Sequence, residues 1–201
     1  MATKRKATTK VAAKAPKKAT PKVVKKAVKK TAKPAKKTSA SKAPAARVGS
    51  LVGKPAPAFT MPTGDGRTIS LSEFKGKRVL LYFYPKDDTP GCTAQACALR
   101  DGMKDLAKAN TVVIGVSKDS VEKHNRFKAK YDLNFLLASD ENTAVCEKYG
   151  VWTQKSLYGR SFMGIERSTF LIDEKGIVRG EWRKVRVPTH YDDLSKAIAG
   201  L

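Results

Sequence analysis

The chain has 201 residues, which is enough for one domain of about 150 residues and an appended segment. Its formal net charge is +23, and residues 1–47 hold 17 of its 41 Lys and Arg residues but no Asp or Glu. Three cysteines are too few for a disulfide framework, and the sequence has no apolar signal segment and no apolar run of membrane length. We therefore expect a cytoplasmic protein in a reducing compartment, without a membrane span.

Residues 1–47 are built almost wholly from Lys, Ala, Thr, Pro and Val, and they contain no aromatic residue. Like charges repel and no packed core can form, so we predict a disordered tail here and a folded domain over residues 48–201. Such a tail can neutralise phosphate groups and release their counterions without reading base sequence. Non-specific DNA or RNA binding is therefore a hypothesis, and its candidate contacts are the paired lysines Lys17, Lys18, Lys25, Lys26, Lys29, Lys30, Lys36 and Lys37.

Two other interpretations of the tail remain open. A polybasic extension also keeps a protein soluble and has only incidental affinity for nucleic acid. Lys4-Arg5-Lys6 and the later lysine pairs could also serve as a nuclear signal in an organism with a nucleus. The composition is similar to the lysine-rich tails of linker histones, which favours nucleic acid, and association with the nucleoid would then follow in a bacterium.

Short elements are predicted for the first half of the folded domain. The pattern indicates two short strands around a turn (Gly53–Phe59 and Thr68–Ile69), one helical turn opened by a capping box at Ser70, a buried strand (Val79–Tyr84), a helix (Cys92 to about Ala109) and a second buried strand (Thr111–Ser117). Two buried strands joined by a helix form a right-handed unit with parallel pairing.

The second half predicts further helices and an antiparallel hairpin. The pattern indicates a helix that begins after Ser120 and runs through Tyr131, a strand (Phe135–Ala138), a helix (Thr143–Tyr149), two strands joined by a tight turn (Ser168–Asp173 and Ile177–Trp182) and a final helix (Tyr191–Ala199). Parallel strands first and an antiparallel hairpin later predict the α/β class, with a mixed central sheet flanked by helices.

The stretch after the first buried strand concentrates the candidate chemistry. Pro90 and Gly91 set up a turn, and Cys92 then falls in the first turn of the predicted helix. Free backbone N–H groups and the positive end of the helix dipole favour the thiolate over the thiol at such a position. Cys92 is therefore a candidate nucleophile.

A second thiol, Cys97, lies five residues after Cys92. In an ideal α-helix this offset separates the two Cα atoms by roughly 8.7 Å. A disulfide needs a separation under about 7 Å, so the pair could join only if the helix unwound locally. The alternative is that Cys97 is a small apolar residue on a helix face.

The stretch Leu81–Asp101, with Pro85, Thr89 and Cys92 in the spacing P-x3-T-x2-C, closely resembles the active-site segment of peroxiredoxins. The C-x4-C spacing resembles the atypical two-cysteine subfamily called PrxQ or bacterioferritin comigratory protein. The resemblance extends from about Val48 to the C-terminus and does not cover the tail. It implies a thioredoxin-like fold with an N-terminal β-hairpin extension.

The resemblance also implies roles for individual residues. Cys92 would be the peroxidatic thiol that reduces hydrogen peroxide or an organic hydroperoxide, and Cys97 the resolving thiol that forms an intramolecular disulfide with it. Thr89 would contact the reacting groups, Pro85 would shield the thiolate from water, and Arg167 would stabilise the thiolate and orient the peroxide. Thioredoxin would be the reductant, and the protein would be a monomer.

Each of these residues also has a structural interpretation. Thr89 could be an ordinary turn residue, Pro85 a strand stop and Arg167 a surface arginine. Cys146 is expected to be a buried core thiol and is left out of the site. His124 and His190 do not form a ligand set with the scattered cysteines, so neither a metal nor another bound cofactor is predicted.

Two rival functions remain. A general disulfide oxidoreductase on the same fold would use CxxC, a spacing that the chain lacks. The other rival is a nucleic-acid-binding protein in which the thioredoxin-like domain only senses redox state. A peroxidase held near nucleic acid by its tail combines the two main features of the sequence.

Overall fold

The computed structural model of the chain describes residues 49–157 and 159–201. The predicted tail and its candidate lysine contacts lie outside these residues. The elements in chain order are β1 (Thr60–Pro62), β2 (Thr68–Ser70), a 3-10 helix (Leu71–Phe74), β3 (Arg78–Phe83), α1 (Pro90–Asp101), α2 (Met103–Lys108), β4 (Thr111–Ser117), α3 (Val121–Lys130), β5 (Leu136–Ser139), α4 (Ala144–Lys148), β6 (Trp152–Leu157), β7 (Arg160–Ile165), β8 (Ser168–Ile172), β9 (Val178–Trp182) and α5 (Val187–Ala199).

A five-stranded mixed sheet with the strand order β5-β4-β3-β8-β9 forms the centre of the domain. The β3, β4 and β5 strands are parallel, whereas β8 pairs antiparallel with both β3 and β9. Successive side chains of a strand point to opposite faces. Accordingly, Val79, Leu81 and Phe83 pack with the N-terminal hairpin and α4, while Leu80 and Tyr82 pack with the helices of the other face. The structure confirms the predicted α/β class with a mixed central sheet.

The predicted first strand is displaced. The N-terminal hairpin consists of β1 and β2, with Met61 paired to Ile69, and residues 53–59 form no strand. Proline has no N–H for a sheet ladder, and this segment contains Pro55 and Pro57. Pro55 makes only an isolated bridge with Ile177. The predicted capping box is present, because the Glu73 carboxylate accepts the Ser70 N–H at 2.6 Å.

The helix predicted from Cys92 to Ala109 is divided in two. It begins two residues earlier, at Pro90, and it is interrupted at Gly102, which separates α1 from α2. The Tyr191 ring of α5 packs directly on Gly102, where a Cβ atom would lie 2.1 Å from the ring. The Tyr191 hydroxyl donates to the Gly102 carbonyl at 3.3 Å. Packing between α1 and α5 therefore sets the break.

The sequence-based prediction missed one hairpin. The β6 and β7 strands pair antiparallel with each other over six residues and belong to no larger sheet. Phe162 and Met163 on β7 are exposed, so the alternation typical of a half-buried strand is weak. The chain returns from this hairpin to Ile165, two residues before the predicted site residue Arg167. Among the described residues, no helix combines the length and the apolar character needed to cross a membrane.

Candidate active site

Cys92 lies where the central strand β3 gives way to α1. The strand ends at Phe83, a polar loop runs through residues 85–89, and the helix begins at Pro90, whose missing N–H costs nothing at that position. Cys92 is the third residue of the helix and is 2 % exposed. Its sulfur therefore lies beside the free N–H groups and the positive end of the helix dipole, as the sequence predicts.

Arg167 is brought to Cys92 by the sheet. It directly precedes β8, whose first residue, Ser168, pairs with Phe83 at the end of β3. The Arg167 Nη2 donates to Cys92 Sγ at 3.2 Å, across 75 positions of sequence. A guanidinium at this distance stabilises a thiolate, and its planar fork leaves further N–H groups for a second partner.

That second partner is Gln95, which the sequence-based prediction missed. Its side-chain oxygen accepts a hydrogen bond from Arg167 Nη1, so the guanidinium spans Cys92 and Gln95. Gln95 is 1 % exposed, and its side-chain nitrogen has no hydrogen-bond partner among the described residues. Its position three residues after Cys92, on the same face of a helix, was the available signal.

Thr89 and Pro85 both lie on the loop that leads to Cys92. Thr89 precedes α1, and its carbonyl accepts the Thr93 N–H at 2.8 Å. Its hydroxyl donates to the Lys86 carbonyl at 3.1 Å. No hydrogen bond joins that hydroxyl to Cys92 in the described part of the chain, so only its lone pairs are available to a substrate. Pro85 is half-buried and follows the buried Tyr84.

The three cysteines are all free thiols. Cys97 is half-buried on the same intact helix as Cys92, where ideal geometry separates their Cα atoms by roughly 8.7 Å. Cys146 lies on α4 and is 0 % exposed, as expected for a core thiol. Burial raises the pKa of the Cys146 thiol far above its usual value, and the Asp140 carboxylate acts in the same direction. Cys146 therefore stays protonated as a thiol, which is a poor nucleophile.

Lys155 on the missed hairpin is a second cation near the site. Its Nζ donates to the carbonyl of Ile165 at 2.6 Å, and its aliphatic stem lies over Gly164. Burial lowers the pKa of Lys155, and the nearby Arg167 acts in the same direction, whereas Glu166 and Cys92 oppose the shift. Lys155 and Cys92 are therefore close enough to interact electrostatically.

The described residues include no group of three His, Cys, Asp or Glu side chains placed to hold a metal ion. A cavity of about 460 Å³ between β1 and the start of α4 contains none of the residues around Cys92. The chemical features converge on the Cys92 sulfur instead. Cys92 lies at a helix N-terminus at the end of a mixed sheet, and its sulfur accepts a hydrogen bond from an arginine. These features define the class of the protein as a thiol-based redox enzyme.

Comparison with known proteins specifies the family. Residues 52–181 match the AhpC/TSA family. The putative peroxiredoxin bcp of Coxiella burnetii is 55 % identical over 71 % of this chain and 95 % of its own length. The peroxiredoxin Bcp of Bacillus subtilis is 50 % identical over 69 % of this chain and 88 % of its own length.

Solved structures agree with the sequence relatives. Peroxiredoxin Q of Xanthomonas campestris superposes with a TM-score of 0.68 at 38 % identity, over 71 % of this chain and 90 % of that chain. A mutant of Xylella fastidiosa PrxQ superposes with a TM-score of 0.70 at 31 % identity, over 76 % of this chain and 98 % of that chain.

The chain belongs to the AhpC/TSA family and is a peroxiredoxin of the Bcp or PrxQ type. The expected thioredoxin-like fold is thereby confirmed, and so is the expected activity, thiol-dependent reduction of peroxides.

Proposed function

We propose that Cys92 is the thiol that reduces the peroxide, and that the substrates are hydrogen peroxide and organic hydroperoxides. The observation that carries the proposal is the hydrogen bond from Arg167 Nη2 to Cys92 Sγ at 3.2 Å. The thiolate attacks one peroxide oxygen, the O–O bond breaks, and the other oxygen leaves and takes up a proton to give water or an alcohol. Cys92 thereby becomes a sulfenic acid.

Three further residues serve this step in the proposal. Arg167 stabilises the thiolate and then the negative charge that builds on the oxygens. The Thr89 hydroxyl donates its hydrogen bond to the Lys86 carbonyl, so it offers lone pairs to the O–H of the peroxide. Pro85 limits access of water to the sulfur. A bacterioferritin comigratory protein of Xanthomonas campestris described with alkyl peroxide reduction activity supports organic hydroperoxides as substrates.

Cys97 completes the cycle in the proposal. The first turns of α1 unwind, the Cys97 thiol condenses with the sulfenic acid, and water is released as the disulfide forms. Thioredoxin, an external dithiol, then reduces this disulfide through a mixed disulfide and is itself oxidised. Both thiols belong to one helix, so no second chain is needed and we propose a monomer. Dithiol reductants of this kind support a cytoplasmic location.

The proposal is tested by following peroxide-dependent NADPH oxidation with full-length protein, thioredoxin and thioredoxin reductase. Wild-type protein should turn over, and Cys92→Ser should abolish turnover. Cys146→Ser is the matched control, because it removes a buried thiol that has no role in the cycle, and it should retain turnover. Full turnover by Cys92→Ser would overturn the assignment, and turnover lost only in Cys146→Ser would move the chemistry to α4.

We propose a second function, non-specific binding of DNA or RNA, for residues 1–47. The observation that favours it is the concentration of 17 basic residues without one acidic residue. Binding should weaken steeply with salt, because phosphate contacts release counterions. It should also be lost when the eight paired lysines, Lys17, Lys18, Lys25, Lys26, Lys29, Lys30, Lys36 and Lys37, are replaced by glutamine.

Binding to DNA would place the protein at the nucleoid, or in the nucleus of a eukaryotic cell. Salt titrations of wild-type and lysine-substituted protein on a fluorescent duplex measure this affinity. A complex that is insensitive to salt, or that survives the lysine replacements, contradicts the proposal. Nucleic-acid binding without any Cys92-dependent turnover would instead support the rival function, a redox-sensing binding protein.

A further inference from the structure

The loop of residues 85–89, which carries Pro85 and Thr89, is anchored from beneath by a buried polar network. Asp87 is the loop residue that enters it and is 8 % exposed. Its carboxylate accepts hydrogen bonds from the Tyr84 hydroxyl at 2.6 Å and from His124 Nδ1 at 2.8 Å. Its backbone N–H donates to the Asp119 carboxylate at 2.8 Å. Both the side chain and the backbone of Asp87 are therefore fixed.

The network ties the loop to the carboxyl edge of the sheet. Asp119 follows β4 and also accepts from the Ser117 hydroxyl at 3.1 Å and from Lys123 Nζ at 3.3 Å. The Ser139 hydroxyl, at the end of β5, donates to the Asp119 carbonyl at 2.6 Å. The ends of β3, β4 and β5 and the start of α3 are thus joined at one place, directly under the loop.

His124 is the only imidazole in this network. It lies on α3, is 1 % exposed, and has no partner for its Nε2 among the described residues. A buried donor without an acceptor is costly, so a ring proton is favoured on Nδ1, where Asp87 accepts it, over Nε2. The pair therefore acts as one directional hydrogen bond between α3 and the loop.

The network reaches the reactive site through the backbone. Asp87 directly follows Lys86, whose carbonyl accepts the Thr89 hydroxyl at 3.1 Å. The direction of the Thr89 lone pairs therefore depends on where Asp87 holds the loop. The left-handed backbone at Asp88, with a φ of 55°, keeps this short segment tightly turned. No hydrogen bond links Asp87, Asp119 or His124 to Cys92 within the described residues.

We infer that Asp87 and His124 are positioning residues for peroxide reduction. They align the Thr89 hydroxyl for the incoming peroxide and do not act on the Cys92 thiolate. Breaking a buried polar pair costs stability whether or not the pair has another role, so loss of stability alone cannot identify one. A positioning role predicts that the reaction of Cys92 with peroxide is lost while the same thiol remains equally reactive toward a reagent that does not need Thr89. The inference rests on the proposed function of Cys92 and Thr89.

The experiment compares two reactions of Cys92 in full-length protein that carries Cys97→Ser and Cys146→Ser. One is the second-order reaction with hydrogen peroxide, and the other is alkylation by iodoacetamide. His124→Leu removes the donor to Asp87. It should lower the peroxide rate constant about ten-fold or more, because small misalignments are costly, and change the alkylation rate less than about two-fold. His124→Asn has similar size and can present an N–H near the Nδ1 position, so it should recover most of the peroxide rate.

Asp173→Asn is the matched control. Asp173 is also a buried carboxylate at 8 % exposure, and it accepts the Lys175 and Ile177 N–H groups at the opposite edge of the sheet. Asp173→Asn should lower the stability of the protein without lowering the peroxide rate constant relative to the alkylation rate. Equal losses of both rates in His124→Leu, no loss of either, or the same separation in Asp173→Asn would each overturn the inference.

Tyr84→Phe keeps the test decisive if His124→Leu does not fold. It removes only the hydroxyl that donates to Asp87 and should lower the peroxide rate about three-fold with alkylation unchanged. An unchanged peroxide rate in Tyr84→Phe would overturn the inference. The parent protein separates this result from the proposed function. A Cys92 that does not react with peroxide in the parent refutes the proposed function, whereas a reactive parent that is insensitive to His124 and Tyr84 refutes only the positioning role.

Discussion

Gly91 lies directly under the guanidinium of Arg167. A Cβ atom built on Gly91 would be 3.3 Å from Arg167 Nη2, the nitrogen that donates to Cys92. Gly91 is the second residue of α1 and does not have a positive φ, so the backbone does not require glycine there. The space beneath the arginine is the feature that favours glycine at this position.

Replacing Gly91 with alanine should therefore have opposite effects on stability and reactivity. Alanine restricts the unfolded chain, so the free energy of unfolding should stay the same or rise by up to about 1 kcal/mol. The methyl group displaces the guanidinium by a few tenths of an ångström, so the peroxide rate constant should fall about three- to ten-fold. Urea denaturation and stopped-flow oxidation measure the two quantities. Gly66→Ala, in a turn with a positive φ, should show the reverse, lower stability with an unchanged rate.

Arg167→Lys should lower the peroxide rate constant about a hundred-fold although the charge is kept. Lysine has a single donor nitrogen on a flexible stem, so it lacks the planar pair of nitrogens with which the guanidinium contacts Cys92 and Gln95. The rate can be followed by competition with another peroxidase for limiting peroxide. Arg183→Lys is a suitable control, because Arg183 bonds the Tyr149 and Gly150 carbonyls and does not contact Cys92. A near-normal peroxide rate constant in Arg167→Lys would show that a positive charge alone, without the planar guanidinium, is enough to activate Cys92.

Cys97→Ser should separate oxidation from recycling. After one equivalent of peroxide the variant should gain the mass of one oxygen atom, because its sulfenic acid has no partner thiol. The wild-type chain should lose the mass of two hydrogen atoms as the disulfide forms. Intact-protein mass spectrometry distinguishes the two products, and the variant should give no sustained turnover with thioredoxin. A disulfide that still forms in Cys97→Ser would assign the resolving role to Cys146.

His190 should make stability depend on pH. It is buried on α5, and Thr169 Oγ1 lies 2.9 Å from its Nε2. Its pKa is lowered from 6.5 to about 4, chiefly by burial, with Asp193 opposing the shift and nearby Arg167 adding to it. Between pH 4 and pH 6.5, His190 is therefore protonated in the unfolded chain but neutral in the folded protein. The stability that depends on neutral His190 is fully present above pH 6.5 and is lost as the pH falls toward 4, by about 3 kcal/mol in all.

His190→Gln tests this prediction, because glutamine can still pair with Thr169 but does not titrate. Urea midpoints of both proteins should be measured across the same pH range. The difference in unfolding free energy between wild type and variant should change between pH 6.5 and 4 and be constant above that window. A constant difference across the whole range would contradict the prediction.

Most strands of the central sheet could be predicted from the sequence, but few of the contacts that hold the site residues in place could be. Apolar runs identified the buried strands β3 and β4, because burial on both faces demands such runs, whereas β8 was identified by its alternation and the turn that follows it. The β6–β7 hairpin was missed, since its exposed Phe162 and Met163 blur the alternation. Lys155 was missed with it. Spacing and helix geometry indicated Cys92, whereas the pairing of Arg167 with Cys92 came only from resemblance.

Contacts between distant residues explain what the sequence could not supply. Gln95 and Arg167 are 72 positions apart, and Asp87 and His124 are 37 apart. The sequence does not indicate which residue the Gln95 amide or the His124 imidazole will hydrogen-bond, because these partners depend on how the strands and helices pack together. The tail prediction concerned residues outside the described ranges, so it remains a prediction.

The break at Gly102 bears on how the oxidised protein survives in the cell. Arg100, near the end of α1, donates to the Tyr131 carbonyl at 2.7 Å, and Tyr191 packs on Gly102 itself. In the proposed cycle, the unwinding that brings Cys92 to Cys97 can therefore stop before these contacts and leave α2 and the sheet intact. Each catalytic turnover then uncovers only a few side chains for a short time. The oxidised form should consequently be no more prone to proteolysis or aggregation beyond α1 than the reduced form.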